Sequence, residues 1–392
     1  MTPESSHHES ITDSMVALLR FDLKRLAKSK SIYVTLLLLV VMVCHPIITF
    51  QYTFSELYFN DSGYVVSYIP EMVDSGLIDS IPEDLRARAL EENDAWVALE
   101  TAKQNRDDKG HLEAVIRLEK IRIANIKQGY SSEKNPFYNQ FKLAFLEGLY
   151  DRGIYDIYEV PCEMPGVCFV PWSISKTPYY LWMIPAALIY SAIFSSARRS
   201  RSRQLDSLLP INLVVLSILR LVTGPLVSLV TILLSLIPAF IWATVSNGIG
   251  RLDYSVATVV KNQIVICEAG QYLLMWVLLV TLACLFVGTI VLLTTRFSDR
   301  RMIAIVSAAV VVLIPSLSSY FAVNPNRLSF MNFLPTSYFD FTQVIGGFSV
   351  PPPMLAVIKA VASFGEGMPV MLGWTIIVAG VAIAHSLITR KV

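Results

Sequence analysis

Six nearly continuous apolar stretches divide the chain, at 32–50, 179–197, 221–245, 271–294, 302–321 and 368–388. A helix rising about 1.5 Å per residue needs roughly 20 residues to cross a hydrocarbon core about 30 Å thick. The pattern therefore predicts six transmembrane helices. Ahead of the first, 14–30 reads as an amphipathic helix. Met15, Leu19, Leu23 and Leu26 make an apolar line, and Arg20, Lys24, Lys28 and Lys30 are polar-side cations. Such a helix lies in the lipid headgroup layer with its basic residues on anionic lipid. Ser14 is its expected cap, and 1–13 are expected to be disordered.

The stretch 51–178 has a different texture, with no spanning run and helical periodicity throughout. Helices are predicted over 82–104, with Leu85, Ala89, Trp96 and Leu99 on one face, and over 111–127, with Leu112, Val115, Ile116, Ile123 and Ile126. A third, over 136–150, places Phe137, Phe141, Phe145 and Leu149 at steps of four. This is a small, mostly helical domain inserted between the first two spans. Trp172, Tyr179, Tyr180 and Trp182 are expected as an interfacial aromatic belt. Residues 246–270 are read as a loop. Residues 322–367 form a second one, whose Phe330, Phe333, Tyr338, Phe339 and Phe341 are expected as interfacial anchors. Gly224-Pro225 is a candidate kink.

Composition agrees: 54% hydrophobic, 16% charged and mean hydropathy +0.53, against about 25% charged in soluble domains. No cleaved signal peptide is expected. The net charge of +1 conceals segregation. Residues 51–178 hold 21 acidic and 13 basic residues, a net of −8. Leaving that domain aside and assigning connections alternately to two sides, one side collects fourteen cations and the other four. The fourteen are Arg20, Lys24, Arg25, Lys28 and Lys30; Arg198, Arg199, Arg201 and Arg203; Arg296, Arg300 and Arg301; and Arg390 and Lys391. Lys/Arg bias sets orientation, so both termini are expected in the cytoplasm and the acidic domain outside the cell membrane. On that side a short-loop disulfide between Cys162 and Cys168 is allowed, and two free thiols are the alternative.

Catalytic signatures are missing. There is no phosphate-binding G-x-x-x-x-G-K-[ST] loop, no H-E-x-x-H, no G-x-S-x-G and no Cys/His zinc pattern. The chain is not expected to be an enzyme, to hold a metal or cofactor, or to bind nucleic acid. The spans carry almost no ionisable residues, His385 being the clearest, whereas ion-coupled carriers need intramembrane carboxylates. Energy is therefore expected from outside the chain, acting on its cytoplasmic surfaces. The stretch 198–220 is the candidate for that contact: four arginines, a half-polar segment (Gln204, Leu205, Asp206, Ser207, Leu208, Leu209), Pro210, and an apolar helix closed by Arg220.

This arrangement resembles the membrane subunit of an ABC-2 type ABC transporter. Leu208-Leu209-Pro210-Ile211 followed by Arg220 is similar to that family's L-L-x-x-P-[IV]-S-R…G-K segment. Asn332-Phe333-Leu334-Pro335-Thr336-Ser337-Tyr338 is similar to its L-N-P-x-x-Y stretch, and 14–30 to its connecting helix. Departures are Arg199–Arg203 where an acidic residue and a Gly-Thr pair often stand, Leu213 for a basic residue and Leu219 for a glycine. The resemblance implies an all-α integral membrane fold and a coupling helix over Gln204–Pro210 that docks on a separate ATPase subunit carrying ATP and Mg. It also implies a second copy or paralogue as dimer partner, and outward transport of a peptide, drug, lipid-like or ionic substrate. The alternative from another class is a non-transporting scaffold or sensor whose outer domain captures a peptide or protein.

Overall fold

The computed structural model describes residues 3–50, 83–129, 137–158, 161–197, 212–260, 263–298, 300–321, 333–345 and 363–388. In chain order the helices are α1 (Pro3–Ala27), α2 (Lys30–Phe50), α3 (Glu83–Asn105), α4 (Asp108–Lys127), α5 (Phe137–Asp151), α6 (Gly166–Lys176), α7 (Tyr179–Ala197) and α8 (Leu213–Asn247). Two strands follow, β1 (Ser255–Val260) and β2 (Gln263–Glu268), then α9 (Ala269–Phe297), α10 (Arg301–Phe321), α11 (Phe341–Ile345) and α12 (Phe364–Ile388). Among the described residues, three helices are long and apolar enough to cross a membrane: Val214–Asn247, Ala269–Phe297 and Phe364–His385. The number rises to five if two bent pairs each count as one span. These are Met15–Ala27 with Lys30–His45, bent by 62°, and Gly166–Lys176 with Tyr179–Phe194, bent by 84°. Arg301–Leu313 is a further apolar helical stretch.

The bundle is organised on α9, which packs against α6, α7, α8, α10 and α12. A helix apolar on every side is buried among others or spans a membrane, and α9 packs one face on its neighbours while Leu274 and Leu278 are exposed. Trp276, Leu279, Val280, Ala283, Cys284, Val287 and Val291 of α9 are fully enclosed. The next helix, α8, is turned inside out relative to a soluble one. Its buried face carries small residues, Ser228, Ser235, Ala239 and Ala243, while Val222, Leu226, Val230, Ile237 and Ile241 are exposed. Small residues allow close helix approach where lipid is as apolar as leucine, and large apolar side chains face the lipid. Hydroxyls on this helix return to their own backbone. Ser228 Oγ donates to Gly224 O at 2.8 Å and Thr231 Oγ1 to Val227 O at 2.8 Å. That keeps them satisfied without water.

The helix α8 continues through Gly224-Pro225 rather than ending there. Proline at 225 cannot donate to the carbonyl four residues back, at Leu221. The buried Tyr190 hydroxyl of α7 fills that vacancy, donating to Leu221 O at 2.7 Å. Its ring lies between Gly224 of α8 and Gly288 of α9, and a Cβ at either glycine would overlap the ring. Tyr190→Phe keeps the packing and orphans the carbonyl. It is expected to cost about 1–3 kcal/mol, read as a lowered melting temperature of the purified protein.

Several expectations change. The first helix begins at Pro3, so 3–13 are helical rather than disordered. Its buried line is Leu18, Asp22 and Leu26, while Leu23 is exposed. Trp172 and Trp182 are enclosed rather than interfacial. Trp182 meets Trp276 edge-on at 5.3 Å, and Trp172 lies 5.3 Å from Phe169. Tyr338, Phe339 and Phe341 are also buried, Phe339 against Phe286 of α9. Phe333 is exposed, and Phe330 lies outside the described residues.

The expected loop over 246–270 contains an antiparallel hairpin, a departure from an all-α fold. β1 and β2 pair from Ser255↔Glu268 to Val260↔Gln263. The β-branched run Ser255-Val-Ala-Thr-Val-Val and its partner Gln-Ile-Val-Ile-Cys-Glu268 suit a pleated, half-buried surface. The hairpin is the platform for the inserted domain. There α3 and α4 pack as a helical pair, α5 packs on α4, and α5 rests on both strands. Arg152 at the end of α5 donates through Nη1 to Gly148 O at 2.9 Å and Ser255 Oγ at 2.8 Å. Phe145 meets Tyr254 edge-on at 6.1 Å. A second tie joins the segment before α6 to the end of α8. Asn247 Nδ2 donates to Cys162 O and Met164 O, and Gly166 N to Gly248 O at 3.1 Å. Cys162 and Cys168 are both free thiols, Cys168 fully buried.

Candidate functional site: a charged junction at the basic end of the bundle

Gln204, Leu205, Asp206, Ser207, Leu208, Leu209 and Pro210 lie outside the described residues, as do Arg198, Arg199, Arg201 and Arg203. The flanks of this segment are described. It leaves α7 at Ala197 and enters α8 at Leu213, with Asn212 as cap. Asn212 Oδ1 accepts from Val214 N at 3.2 Å, which satisfies one of the unpaired N–H groups of a helix start. Arg220, expected as the residue closing the segment before a span at 221, is instead inside α8.

Around these flanks arginines join five helices. Arg220 Nε of α8 donates to Asp22 Oδ2 of α1 at 3.2 Å, with both residues buried. Arg25, one turn along α1, places Nη2 3.5 Å from Asp22 Oδ1. The same Nη2 donates to the α7 carbonyls of Ala192 at 3.3 Å and Ile193 at 3.4 Å. From the end of α9, Arg296 Nη2 donates to Ser217 Oγ of α8 at 3.1 Å. From the start of α10, Arg301 Nε donates to Ser191 Oγ of α7 at 3.2 Å. Arginine suits this position because its planar fork reaches several acceptors at once and stays charged when partly desolvated.

The physical consequence is a mechanical one. A carboxylate buried without a partner costs several kcal/mol, so Asp22 ties its helix to Arg220 and Arg25. The helix α1 is thereby attached to both helices that flank 198–211. Asp22 is the residue that periodicity alone passes over. It sits one turn after Leu18 and one turn before Leu26, an acidic residue within an apolar line and flanked by Arg20, Lys24 and Arg25. That position is the signal that could have found it; the partner, 198 residues away, carries none.

Among the described residues no group of three or more His, Cys, Asp or Glu side chains could hold a metal ion. At the opposite end of the bundle stand the hairpin and the inserted domain, joined to the junction by α8 and α9. Comparisons with family models, with characterised proteins and with solved structures find no match for this chain.

Proposed function

We propose that this chain is the membrane subunit of an ATP-driven exporter of the ABC-2 type, worked at its basic end by a separate ATPase subunit. In this reading α2, α7, α8, α9, α10 and α12 are six spans. Both termini and 198–211 face the cytoplasm, and the inserted domain faces outward. The observation that carries it is the Asp22–Arg220–Arg25 junction. It welds an amphipathic helix to both spans that flank the basic segment 198–211, so a push on either the helix or the segment reaches α7 and α8 together. Lys/Arg segregation supports the orientation. A dimer with a second copy or a paralogue would supply the path.

The test is purification from native membranes in mild detergent. An ATPase subunit is expected to accompany the chain, with its ATP hydrolysis stimulated on reconstitution. Replacing Gln204–Leu209 with a Gly-Ser linker is expected to abolish that stimulation. No accompanying ATPase would favour the scaffold reading, and stimulation undiminished by the linker would remove the coupling role.

A further inference from the structure

Beside the hairpin on which the inserted domain rests, the turn joining α3 to α4 faces the strap 154–158 across an open groove of about 500 Å³. That volume lies within the range of about 300–1,000 Å³ found for ligand pockets. The turn is built in an unusual way. Arg106 N donates to Lys103 O at 3.2 Å and Asp107 N to Ala102 O at 2.9 Å. This pair of bonds is a Schellman helix ending, whose pivotal residue takes a left-handed conformation and is usually glycine. Here the pivot is Arg106, at φ 53°, the one non-glycine residue with positive φ among those described. Glycine would hold the turn with less strain. The arginine lines the groove instead, and strain tolerated in this way concentrates at functional positions.

The walls carry both signs of charge. Arg106 and Lys103 stand beside Asp107 and Asp108, and Asp156 lies on the strap. Tyr155 and Tyr158 supply aromatic faces. Both rings are braced from behind, Tyr155 by Tyr150 at 6.2 Å and Tyr158 by Tyr254 of the hairpin at 5.2 Å. His111 is held below its ordinary value by burial and then by the Lys103 charge, so it stands neutral at pH 7. Burial pushes the Tyr158 hydroxyl up to about 12, so it stays a donor.

We infer that this groove binds a short peptide with free ends, its carboxylate toward Arg106 and Lys103, its amine toward Asp156, and a side chain against Tyr155 and Tyr158. A phosphate-bearing ligand without an amine would offer nothing to Asp156 and would bring a second negative charge to the wall where Asp107 and Asp108 stand beside the cations. An uncharged sugar would cover charged groups without pairing them, which costs binding energy. The inference stands whether or not the chain moves a solute across the membrane.

The experiment is calorimetric titration of the full-length protein in detergent micelles with the tripeptide Ala-Phe-Ala. Saturable binding is expected. Affinity should fall about ten-fold or more for the same peptide with N-acetyl and C-amide ends, as expected for loss of charge-assisted hydrogen bonds. Arg106→Gly should weaken the free tripeptide by a similar factor while melting at the same temperature as the parent or higher. That combination separates a ligand contact from a structural role. Tyr155→Ala should also weaken binding. No saturable heat up to about 10 mM, equal affinity for the blocked peptide, undiminished binding by Arg106→Gly, or tighter binding of maltotriose would each overturn the inference.

Discussion

Asp22→Ala is expected to destabilise the protein by about 3–5 kcal/mol, the usual consequence of removing one member of a buried ion pair. Arg220, which is 4% exposed, loses its carboxylate acceptor on α1. Arg25 would keep its two carbonyl acceptors on α7, so the loss falls on the α1–α8 tie. Removing both charges is a different matter. Asp22→Leu combined with Arg220→Met conserves volume and removes the desolvation cost, and is expected to melt within about 1 kcal/mol of the parent. Thermal unfolding followed by tryptophan fluorescence reads both. An Asp22→Ala variant as stable as the parent would mean that water reaches the pair. Under the proposed function, the double variant has a second use. It folds without the charged tie between α1 and α8, so any loss of ATPase stimulation in it reports transmission rather than folding.

Glu119→Ala should act on the inserted domain with similar force. Glu119 is 1% exposed and is the shared acceptor of three donors. Lys142 Nζ lies at 2.8 Å and Arg122 Nη1 at 2.9 Å from Oε1, and Asn139 Nδ2 at 3.1 Å from Oε2. Its removal takes a shared carboxylate acceptor from Arg122 and Lys142 in the interface between α4 and α5, and a cost of about 3–5 kcal/mol is expected. Amide hydrogen exchange should show α3, α4 and α5 opening while α7, α8 and α9 stay protected. Uniform loss of protection would mean that domain and bundle unfold as one unit. The same core carries a pH dependence. Burial raises the Glu92 carboxyl above its ordinary value, against the pull of Arg122. A raised folded-state value means that stability is full below the unfolded value and declines as pH rises through the folded one. Glu92→Gln should therefore protect the domain at neutral pH and lose that advantage in acid.

The two sites differ in how far they could be read from residue order. The core of the inserted domain was legible because its helices bury periodic faces. Phe141, Phe145 and Leu149 recur at steps of four, and all three are enclosed. The hairpin was legible in principle, since two β-branched runs flank Lys261-Asn262. Between two long apolar stretches it reads equally well as a connecting loop. The groove was not legible. Its walls are a helix turn and a strap some fifty residues downstream, and only packing brings Arg106 opposite Tyr155.

Residue order alone determined that this is a membrane protein of long apolar helices, with an acidic helical insertion and cations gathered at one end. Those properties follow from local hydropathy and from the absence of water in the bilayer, where backbone groups must pair within their own segment. Tertiary structure decided which face of each described helix is exposed and which meets the rest of the protein. Lipid and a protein interior are equally apolar, so hydropathy cannot separate Trp182, which is enclosed, from Ile241, which is exposed. It also decided the polar pairings: Asp22 with Arg220, and the Tyr190 hydroxyl with the carbonyl that Pro225 leaves open. Each joins residues on different helices, and a hydrogen bond or ion pair depends on distance in space, which no local pattern encodes.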